Sequence, residues 1–206
     1  MGLAMRKLLA SLAITLGLVG TVHAQVDGNP SAGREKAQVC AACHGQQGIS
    51  AAPTFPNLAG QQPNYLFKQV VDIRDGVRPV PQMAGIVANL SDQDIADLAV
   101  YFANQPANLG QADPDLAQRG LELYKAGSLA KGIPACMACH TPTGEGINTA
   151  RYPALSGQHP EYTVTTLKAF ANGERDNDPN AIMRDIASKM SDSDMEAVAN
   201  YVYGLN

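Results

Sequence analysis

The 206-residue chain is mildly acidic, with 15 Lys and Arg against 19 Asp and Glu and a formal net charge of −4. An acidic chain without a basic stripe offers no charge complement to nucleic acid or to an anionic membrane surface. The four Cys form an even set, so two disulfides have to be weighed against a metal site or an attached cofactor.

Residues 1–24 have the organisation of a secretory signal peptide. Arg6 and Lys7 are followed by an apolar run and then by Val22-His23-Ala24, the order of basic, apolar and small residues typical of such a segment. The apolar run is shorter than the roughly 20 residues that a membrane-spanning helix needs. We therefore expect cleavage after Ala24 rather than an uncleaved anchor, and a soluble exported protein.

The rest of the chain predicts helices and no strands. One helix is expected over residues 34–43, leading into the first Cys pair, and a second over 62–75, ended by Gly76. A third begins at Ser91, a residue type that caps helix N-termini. Apolar residues recur at helical spacing in this third helix and in its counterpart near the C-terminus: Ile95, Leu98, Ala99 and Phe102, then Met195, Val198, Ala199 and Val202. The pattern predicts an all-α fold.

The mature chain consists of two copies of one unit. Cys40-Ala41-Ala42-Cys43-His44 recurs as Cys136-Met137-Ala138-Cys139-His140, and Pro56-Asn57-Leu58-Ala59-Gly60-Gln61 recurs as Pro153-Ala154-Leu155-Ser156-Gly157-Gln158. Repeats that follow one another in the same order indicate a tandem duplication.

The duplication divides the mature chain into two small domains. We predict a first domain at residues 25–105, a linker at 106–113 that is polar and contains Pro and Gly, and a second domain at 114–206. Domains this small, with a few helices and no Trp, commonly need a disulfide, a metal or a prosthetic group for stability.

The Cys-x-x-Cys-His motif in each copy is the attachment signature of c-type haem. Cysteines at positions i and i+3 of a helix lie on one side of it, and the next residue places an imidazole beside them. The predicted attachment residues are Cys40, Cys43, Cys136 and Cys139. His44 and His140 are the corresponding axial ligands of the iron.

Two covalently attached haem c groups are one interpretation of the four cysteines, and three alternatives have to be weighed against it. A zinc site would have to join ligands of both copies, although each copy repeats a complete motif. A thioredoxin-like redox pair expects a strand–helix context, which the sequence lacks. Structural disulfides would leave the His after each pair unexplained. These arguments favour haem.

The second axial ligand follows by elimination. Of the four His in the chain, His23 lies in the signal peptide, so too few remain for two His ligands at both irons. Met83 is the only Met of the first mature domain, and Met183 occupies the corresponding place in the second. Met is an established partner of His in cytochromes c. Pro79 and Pro81 predict a stiff loop around Met83.

Several other residues are open to two interpretations. The carbonyls of Pro56 and Pro153 are candidate acceptors for the Nδ1–H of the motif histidines, with a simple turn as the alternative. Arg78 and Arg175 are expected to be solvated, with haem propionates as the alternative partners. His159 is expected at the surface.

On these motifs the chain resembles the cytochrome c4 family, dihaem carriers made of two tandem class I cytochrome c domains, each a few helices around a covalently bound haem. The resemblance covers essentially the whole mature chain and implies the axial pairs His44 with Met83 and His140 with Met183. It also implies that Gly33 and Gly120 let the first helix of each domain cross the last one closely.

The resemblance further implies an electron carrier with no small-molecule substrate. It implies a periplasmic location and redox protein partners such as a terminal oxidase. It also allows a loose association with the membrane. Two other functions stay open, an electron-entry subunit of a larger periplasmic oxidoreductase and a dihaem peroxidase-type enzyme. One departure from the family pattern is the longer entry to the second motif, at residues 127–134.

Overall fold

The computed structural model describes residues 25–205, so the signal-peptide prediction lies outside the described residues. Within this range the chain forms α-helices and short 3-10 turns, with two isolated β-bridges and no strand. No helix of the described part is long and apolar enough to cross a membrane. The prediction of an all-α fold is confirmed.

Each copy of the duplicated unit contributes five α-helices in the same order. The first copy contains α1 (Pro30–Lys36), α2 (Ala41–His44), α3 (Pro63–Arg74), α4 (Pro81–Val87) and α5 (Asp92–Ala103). The second copy contains α6 (Pro114–Ala126), α7 (Met137–His140), α8 (Pro160–Ala171), α9 (Ile182–Ala187) and α10 (Asp192–Tyr203). Two 3-10 turns, at Leu129–Lys131 and Pro179–Ala181, lie where the second copy is longer.

The last helix of each copy begins with a reciprocal cap. The Ser91 hydroxyl accepts from the Asp94 backbone N–H, and the Asp94 carboxylate accepts from the Ser91 backbone N–H. Ser191 and Asp194 repeat the arrangement at α10. Such a capping box satisfies backbone donors that the first helical turn leaves free, which confirms the helix start predicted at Ser91.

Glycine allows the first and last helices of each copy to cross in contact. A Cβ added at Gly33 would lie 2.1 Å from the Asp97 carbonyl oxygen, and one added at Gly120 would lie 2.2 Å from that of Ala197. No side chain fits at such distances, so both positions require glycine. The close crossings implied by the family resemblance are present in both copies.

Each copy has its own small apolar cluster. The first consists of Ala37, Leu66, Leu98, Ala99 and Phe102, with Cys40 packed against it. The second consists of Tyr124, Leu167, Phe170, Ala187, Met195, Val198 and Val202, with Cys136 packed against it. The predicted apolar faces of α5 and α10 supply three residues to each cluster. Since the first Cys of each motif borders a cluster, each core extends towards the predicted attachment site.

The two copies pack through reciprocal glutamine contacts. The Gln61 side chain donates to the Ala154 carbonyl at 3.0 Å and accepts from the Ala154 N–H at 2.6 Å. Gln158 makes the same pair of hydrogen bonds with Asn57, at 2.9 and 2.8 Å. Because Gln61 corresponds to Gln158 and Asn57 to Ala154, the two domains are related as partners in a two-fold symmetric dimer are.

Expectations from the sequence for Met83 and His159 are wrong. Met83 lies in helix α4 rather than in a loop, because Pro81 occupies the first helical turn, where a missing N–H leaves no hydrogen bond unmade. His159 is not a free surface residue, since its Nε2 lies 3.0 Å from the Ser50 carbonyl oxygen of the other copy. A side chain at the start of α8 thus belongs to the contact between the domains.

Candidate functional site

The two Cys-x-x-Cys-His motifs form equivalent short helical turns, α2 and α7. The backbone N–H of His44 donates to the Cys40 carbonyl at 2.9 Å, and that of His140 donates to the Cys136 carbonyl at 2.9 Å. All four cysteines are half-buried free thiols, so the disulfide alternative finds no support. A helical turn presents both thiols of a pair on one side, as attachment to one flat group requires.

The motif histidines are buried and oriented by carbonyl groups. His44 is 6% exposed and His140 is 8% exposed. Their Nδ1 atoms lie 2.9 Å from the Pro56 carbonyl oxygen in the first copy and 2.9 Å from that of Pro153 in the second. Each carbonyl accepts a hydrogen bond from Nδ1–H and so leaves Nε2 for a metal. The role as acceptor, left open by the sequence, is therefore present in both copies.

The chain holds these proline carbonyls in place with the same local network in each copy. The Gly48 carbonyl accepts from the Leu58 N–H at 2.7 Å, and the Gly144 carbonyl accepts from the Leu155 N–H at 2.7 Å. Each bond ties the residues just after the proline to the loop that follows the motif. The acceptor of the imidazole proton is thereby placed by backbone contacts.

Burial keeps the imidazoles neutral. It lowers the pKa of His44 and of His140, and the hydrogen bonds to the Pro56 and Pro153 carbonyls offset only part of this effect. Neutral imidazole is the form that binds a metal. The environment of both side chains therefore suits a ligand rather than a charged surface group.

The thiols lack the properties of a redox-active pair. Burial raises the pKa of Cys40, and it raises the pKa of Cys136 to about 11. Thioredoxin-like pairs need a thiol with a lowered pKa, so this alternative is disfavoured. Among residues 25–205, no three His, Cys, Asp or Glu side chains converge as ligands of a metal ion, which disfavours a shared zinc site.

Both candidate Met ligands are half-buried and lie in the first turn of corresponding helices, α4 and α9. Met183 also borders the apolar cluster of the second copy. Met195 is 2% exposed inside that cluster, and Met190 packs against it, so these two serve as core. The assignment of Met83 and Met183 to the irons stays a prediction from the sequence register.

The segment before each Met is held by different means, a feature that the sequence did not reveal. In the second copy the Asp178 carboxylate accepts from the Arg184 backbone N–H at 3.0 Å and from its Nε at 2.7 Å. Asn180 and Ala181 between them adopt left-handed backbone conformations, with φ of 55° and 56°. In the first copy, Val80 caps α4 without a side-chain hydrogen bond.

Arg78 and Arg175 are not solvated as expected. Arg175 is 7% exposed, and its guanidinium donates to the Tyr65 hydroxyl of the other copy at 3.0 Å. Arg78 donates to the Tyr162 hydroxyl at 3.2 Å. Both therefore lie at the contact between the copies, which a single sequence does not reveal because these arginines occur in no recognisable motif.

The donor set in each copy fits a haem c. Two thiols share one face of a helical turn, and a buried neutral imidazole has Nδ1 occupied and Nε2 free. A thioether sulfur is available from a separate helix in each copy. These are the groups that attach a haem c and bind its iron.

The chain matches known proteins over both copies. A family model described as Cytochrome c matches residues 117–206, and one described as Cytochrome C oxidase, cbb3-type, subunit III matches residues 30–102. Cytochrome c4 of Pseudomonas aeruginosa is 51% identical over 203 residues, which are 98% of this chain and 100% of that protein. A thiosulfate dehydrogenase electron acceptor of Stutzerimonas stutzeri is 38% identical over 87% of this chain and 82% of its own length.

A solved structure agrees with these matches. The crystal structure of reduced recombinant cytochrome c4 from Pseudomonas stutzeri has a TM-score of 0.85 at 45% identity, and the match covers 87% of this chain and 100% of that one. Two cytochrome c domains in tandem imply two covalently bound haem c groups. The chain belongs to the cytochrome c4 family of dihaem electron-transfer cytochromes.

Proposed function

We propose that this protein carries electrons between redox proteins of the periplasm through two haems that both have His and Met as axial ligands. The observation that supports it most directly is the pair of equivalent buried histidines, each with Nδ1 bonded to a carbonyl. The proposed attachment residues are Cys40, Cys43, Cys136 and Cys139. The proposed axial pairs are His44 with Met83 and His140 with Met183.

In this scheme the side chains hold each haem and orient its iron ligands, and the haem iron gains or loses one electron. Haem c supplies the change between ferric and ferrous iron. The Pro56 and Pro153 carbonyls fix the orientation of the imidazoles, which limits the rearrangement that accompanies a change of charge. Since His and Met fill both axial positions, no position remains for a substrate, and we infer a carrier rather than an enzyme.

The partners belong to the same proposal. We propose that the signal peptide directs the chain to the periplasm, with domains at 25–105 and 114–206 joined by the linker 106–113, and that a terminal oxidase accepts its electrons. A second candidate is supported by the 38% identity to the electron acceptor of a thiosulfate dehydrogenase. In that case the electrons would come from a periplasmic dehydrogenase, and the acceptor would still be a separate protein.

The optical spectrum of the exported protein tests the ligand scheme. With haem quantified per chain, we expect two low-spin haems, each with the weak absorption of a Met–ferric iron bond. A high-spin component in the native protein would contradict the scheme and favour a peroxidase-type enzyme. Cell fractionation tests the location, and membrane-bound haem that salt releases would indicate loose membrane association.

The partner is identified by stopped-flow kinetics. The reduced protein is mixed with a terminal oxidase, and the oxidised protein with a thiosulfate dehydrogenase and thiosulfate. Rapid oxidation in the first experiment supports the leading proposal. If electron transfer is rapid only in the second experiment, where this protein is reduced, the result supports its role as the electron acceptor of a dehydrogenase instead.

A further inference from the structure

The residue after the second Cys-x-x-Cys-His motif has an unusual backbone conformation. Thr141 follows His140 directly and has φ of 68° and ψ of 157°. This region is populated almost only by glycine, and a β-branched residue is a genuine outlier there. The corresponding residue of the first copy is Gly45, with φ of 75° and ψ of 157°, which adopts the conformation without strain. The second copy thus holds a strained residue beside its proposed iron ligand.

A buried tyrosine holds the carbonyl group of this strained residue. Tyr124 is completely buried, and its hydroxyl donates to the Thr141 carbonyl oxygen at 2.6 Å. Burial raises the pKa of Tyr124, so the hydroxyl keeps the proton that it donates. The first copy cannot form this bond, because Ala37 occupies the place of Tyr124, four residues after the glycine at the helix crossing. The bond is therefore a feature of the second copy alone.

Thr141 is also tied to the loop that follows it. Its carbonyl oxygen accepts from the Gly144 N–H at 3.1 Å, and its hydroxyl accepts from the Glu145 N–H at 3.1 Å. The Gly144 carbonyl in turn accepts from the Leu155 N–H at 2.7 Å. Leu155 lies two residues beyond Pro153, whose carbonyl accepts the imidazole proton of the second copy. A short chain of hydrogen bonds therefore leads from the buried tyrosine to the group that orients the imidazole.

The hydrogen bond of an axial imidazole influences the iron that the imidazole binds. A firm bond from Nδ1–H to a carbonyl orients the ring and makes the other nitrogen a stronger donor. Such hydrogen bonds are among the factors that set the reduction potential of a haem. A stronger donor favours ferric over ferrous iron. A residue that keeps the Pro153 carbonyl in place should therefore lower the reduction potential in the second domain.

We propose that Tyr124 is a positioning residue for His140 and lowers the reduction potential of the haem in the second domain. It does so by holding the Thr141 carbonyl, and with it the loop that keeps the Pro153 carbonyl at Nδ1 of the imidazole. This proposal rests on the haem sites proposed above. Because the first copy has alanine and glycine at the two corresponding places, the potential of its haem should not depend on such a bond.

Spectroelectrochemistry of the holoprotein tests the proposal. Tyr124→Phe keeps the ring and removes the hydroxyl. It should shift the ferric–ferrous equilibrium of one haem about threefold towards ferrous, equivalent to about 28 mV for a one-electron couple, and leave the other haem unchanged. Tyr201→Phe is the matched control, because its ring centre lies 5.4 Å from that of Tyr124 and its hydroxyl forms no hydrogen bond within residues 25–205. Both potentials should stay unchanged in this control.

Proton exchange at the imidazoles, measured by NMR of the ferrous protein, identifies the domain that responds. The Nδ1–H groups of His44 and His140 should both exchange slowly, because both imidazoles are buried and bonded to carbonyls. Tyr124→Phe should speed exchange at His140 about tenfold by allowing the loop to open locally, and exchange at His44 should not change. A tyrosine with a role in packing alone would leave both the potentials and the exchange rates unchanged.

A double-variant cycle tests whether the tyrosine acts through Thr141. Thr141→Gly removes the backbone strain, since glycine adopts this conformation freely. When Thr141→Gly is already present, Tyr124→Phe should therefore shift the potential by less than about half as much as it does alone. An equal shift with and without Thr141→Gly would mean that the hydroxyl acts on the iron directly as a dipole, and would overturn the proposed route.

The proposal is also refuted if Tyr124→Phe has the same potentials and exchange rates as Tyr201→Phe. Low-spin spectra with the Met–iron absorption in every variant would show that the ligand scheme of the proposed function holds even then. A high-spin component in the wild type would instead show that the ligand scheme itself has failed, and the positioning role would fail with it.

Discussion

At the scale of single residues, the haem sites combine features that sequence reveals with features that it hides. Attachment chemistry demands a fixed spacing, so the cysteines and histidines could be proposed as haem ligands from the motif alone. The acceptor carbonyls lie 12 and 13 residues beyond the histidines, and their role depends on how the loops fold back. The surroundings of Arg78 and Arg175 could not be predicted, because the tyrosine hydroxyls that they contact belong to the opposite copy.

The Met ligands can be tested one at a time. Met83→Ala removes the proposed thioether from the first domain, so one haem only should become accessible to small ligands and lose its Met–iron absorption. Titration of the ferric protein with cyanide measures the accessible fraction. Met190→Ala is the matched control, since Met190 packs in the second domain and its loss should leave both spectra unchanged. Unchanged ligand access in Met83→Ala would contradict the assignment.

Asp97 joins α1 to α5 and should make stability depend on acidity. Its carboxylate accepts from the Asn29 N–H at 2.8 Å and pairs with Lys36 at 2.9 Å. These bonds lower its pKa to about 2, against about 3.9 in an unfolded chain. A lowered folded-state pKa stabilises the fold above the unfolded value, and this contribution is lost as pH falls through the folded value.

Asp97→Asn should therefore reduce the free energy of unfolding near pH 7 by about 1–3 kcal/mol. The difference from the wild type should shrink as the pH is lowered from about 4 to about 2. Denaturant titration at several pH values measures both effects. Asp75→Asn removes an exposed partner of Arg74 and should reduce the free energy of unfolding much less than Asp97→Asn does, because solvent screens exposed ion pairs. A constant difference across this pH range would refute the argument.

At the scale of helices, sequence signals worked where they are local. Ser91 and the apolar spacing of α5 predicted that helix correctly, because both depend on neighbours in the chain. Helix α4 was missed, since Pro79 and Pro81 suggested a loop although Pro is well tolerated in a first helical turn. The conformation of the segment before α9 was also not predicted. Its two left-handed residues and the Asp178–Arg184 pair correspond to no recognisable sequence pattern.

The Asp178–Arg184 pair should hold the proposed Met183 ligand in place. The side chain of Asp178 is 4% exposed, and its bonds connect the residues on either side of the left-handed turn. Asp178→Asn removes the charge and should weaken the Met–iron bond of the second domain only. Imidazole should then displace that ligand about tenfold more readily, which corresponds to about 1.4 kcal/mol.

Titration of the ferric protein with imidazole measures the effect. Asp185→Asn is the control, because this exposed residue of α9 pairs with Lys189 just beyond the end of that helix and should leave imidazole binding unchanged. If Asp178→Asn and Asp185→Asn behave alike, the pair does not position the ligand. An equal change at both haems would point to a general loss of stability instead.

At the scale of the whole molecule, the duplication predicted two domains but not how they pack. The contact includes glutamine side chains bonded to backbone groups, arginines bonded to tyrosines, and His159 bonded to the Ser50 carbonyl. Such contacts follow neither helical spacing nor a known motif, so a single sequence does not reveal them. The correspondence between the copies becomes informative only when the structure shows that equivalent residues meet.

Gln61 and Gln158 should make the two domains unfold as one unit. Each satisfies a backbone N–H and a carbonyl of the other copy, and a buried polar group left unpaired costs about 1–3 kcal/mol. The double variant Gln61→Ala/Gln158→Ala should therefore split one calorimetric transition into two. Gln38→Ala, which removes a bond within the first copy only, should keep a single transition. One transition in the double variant would show that the glutamine contacts are not needed for coupling, and that the remaining contacts between the copies, such as Arg175 with Tyr65 and His159 with Ser50, suffice.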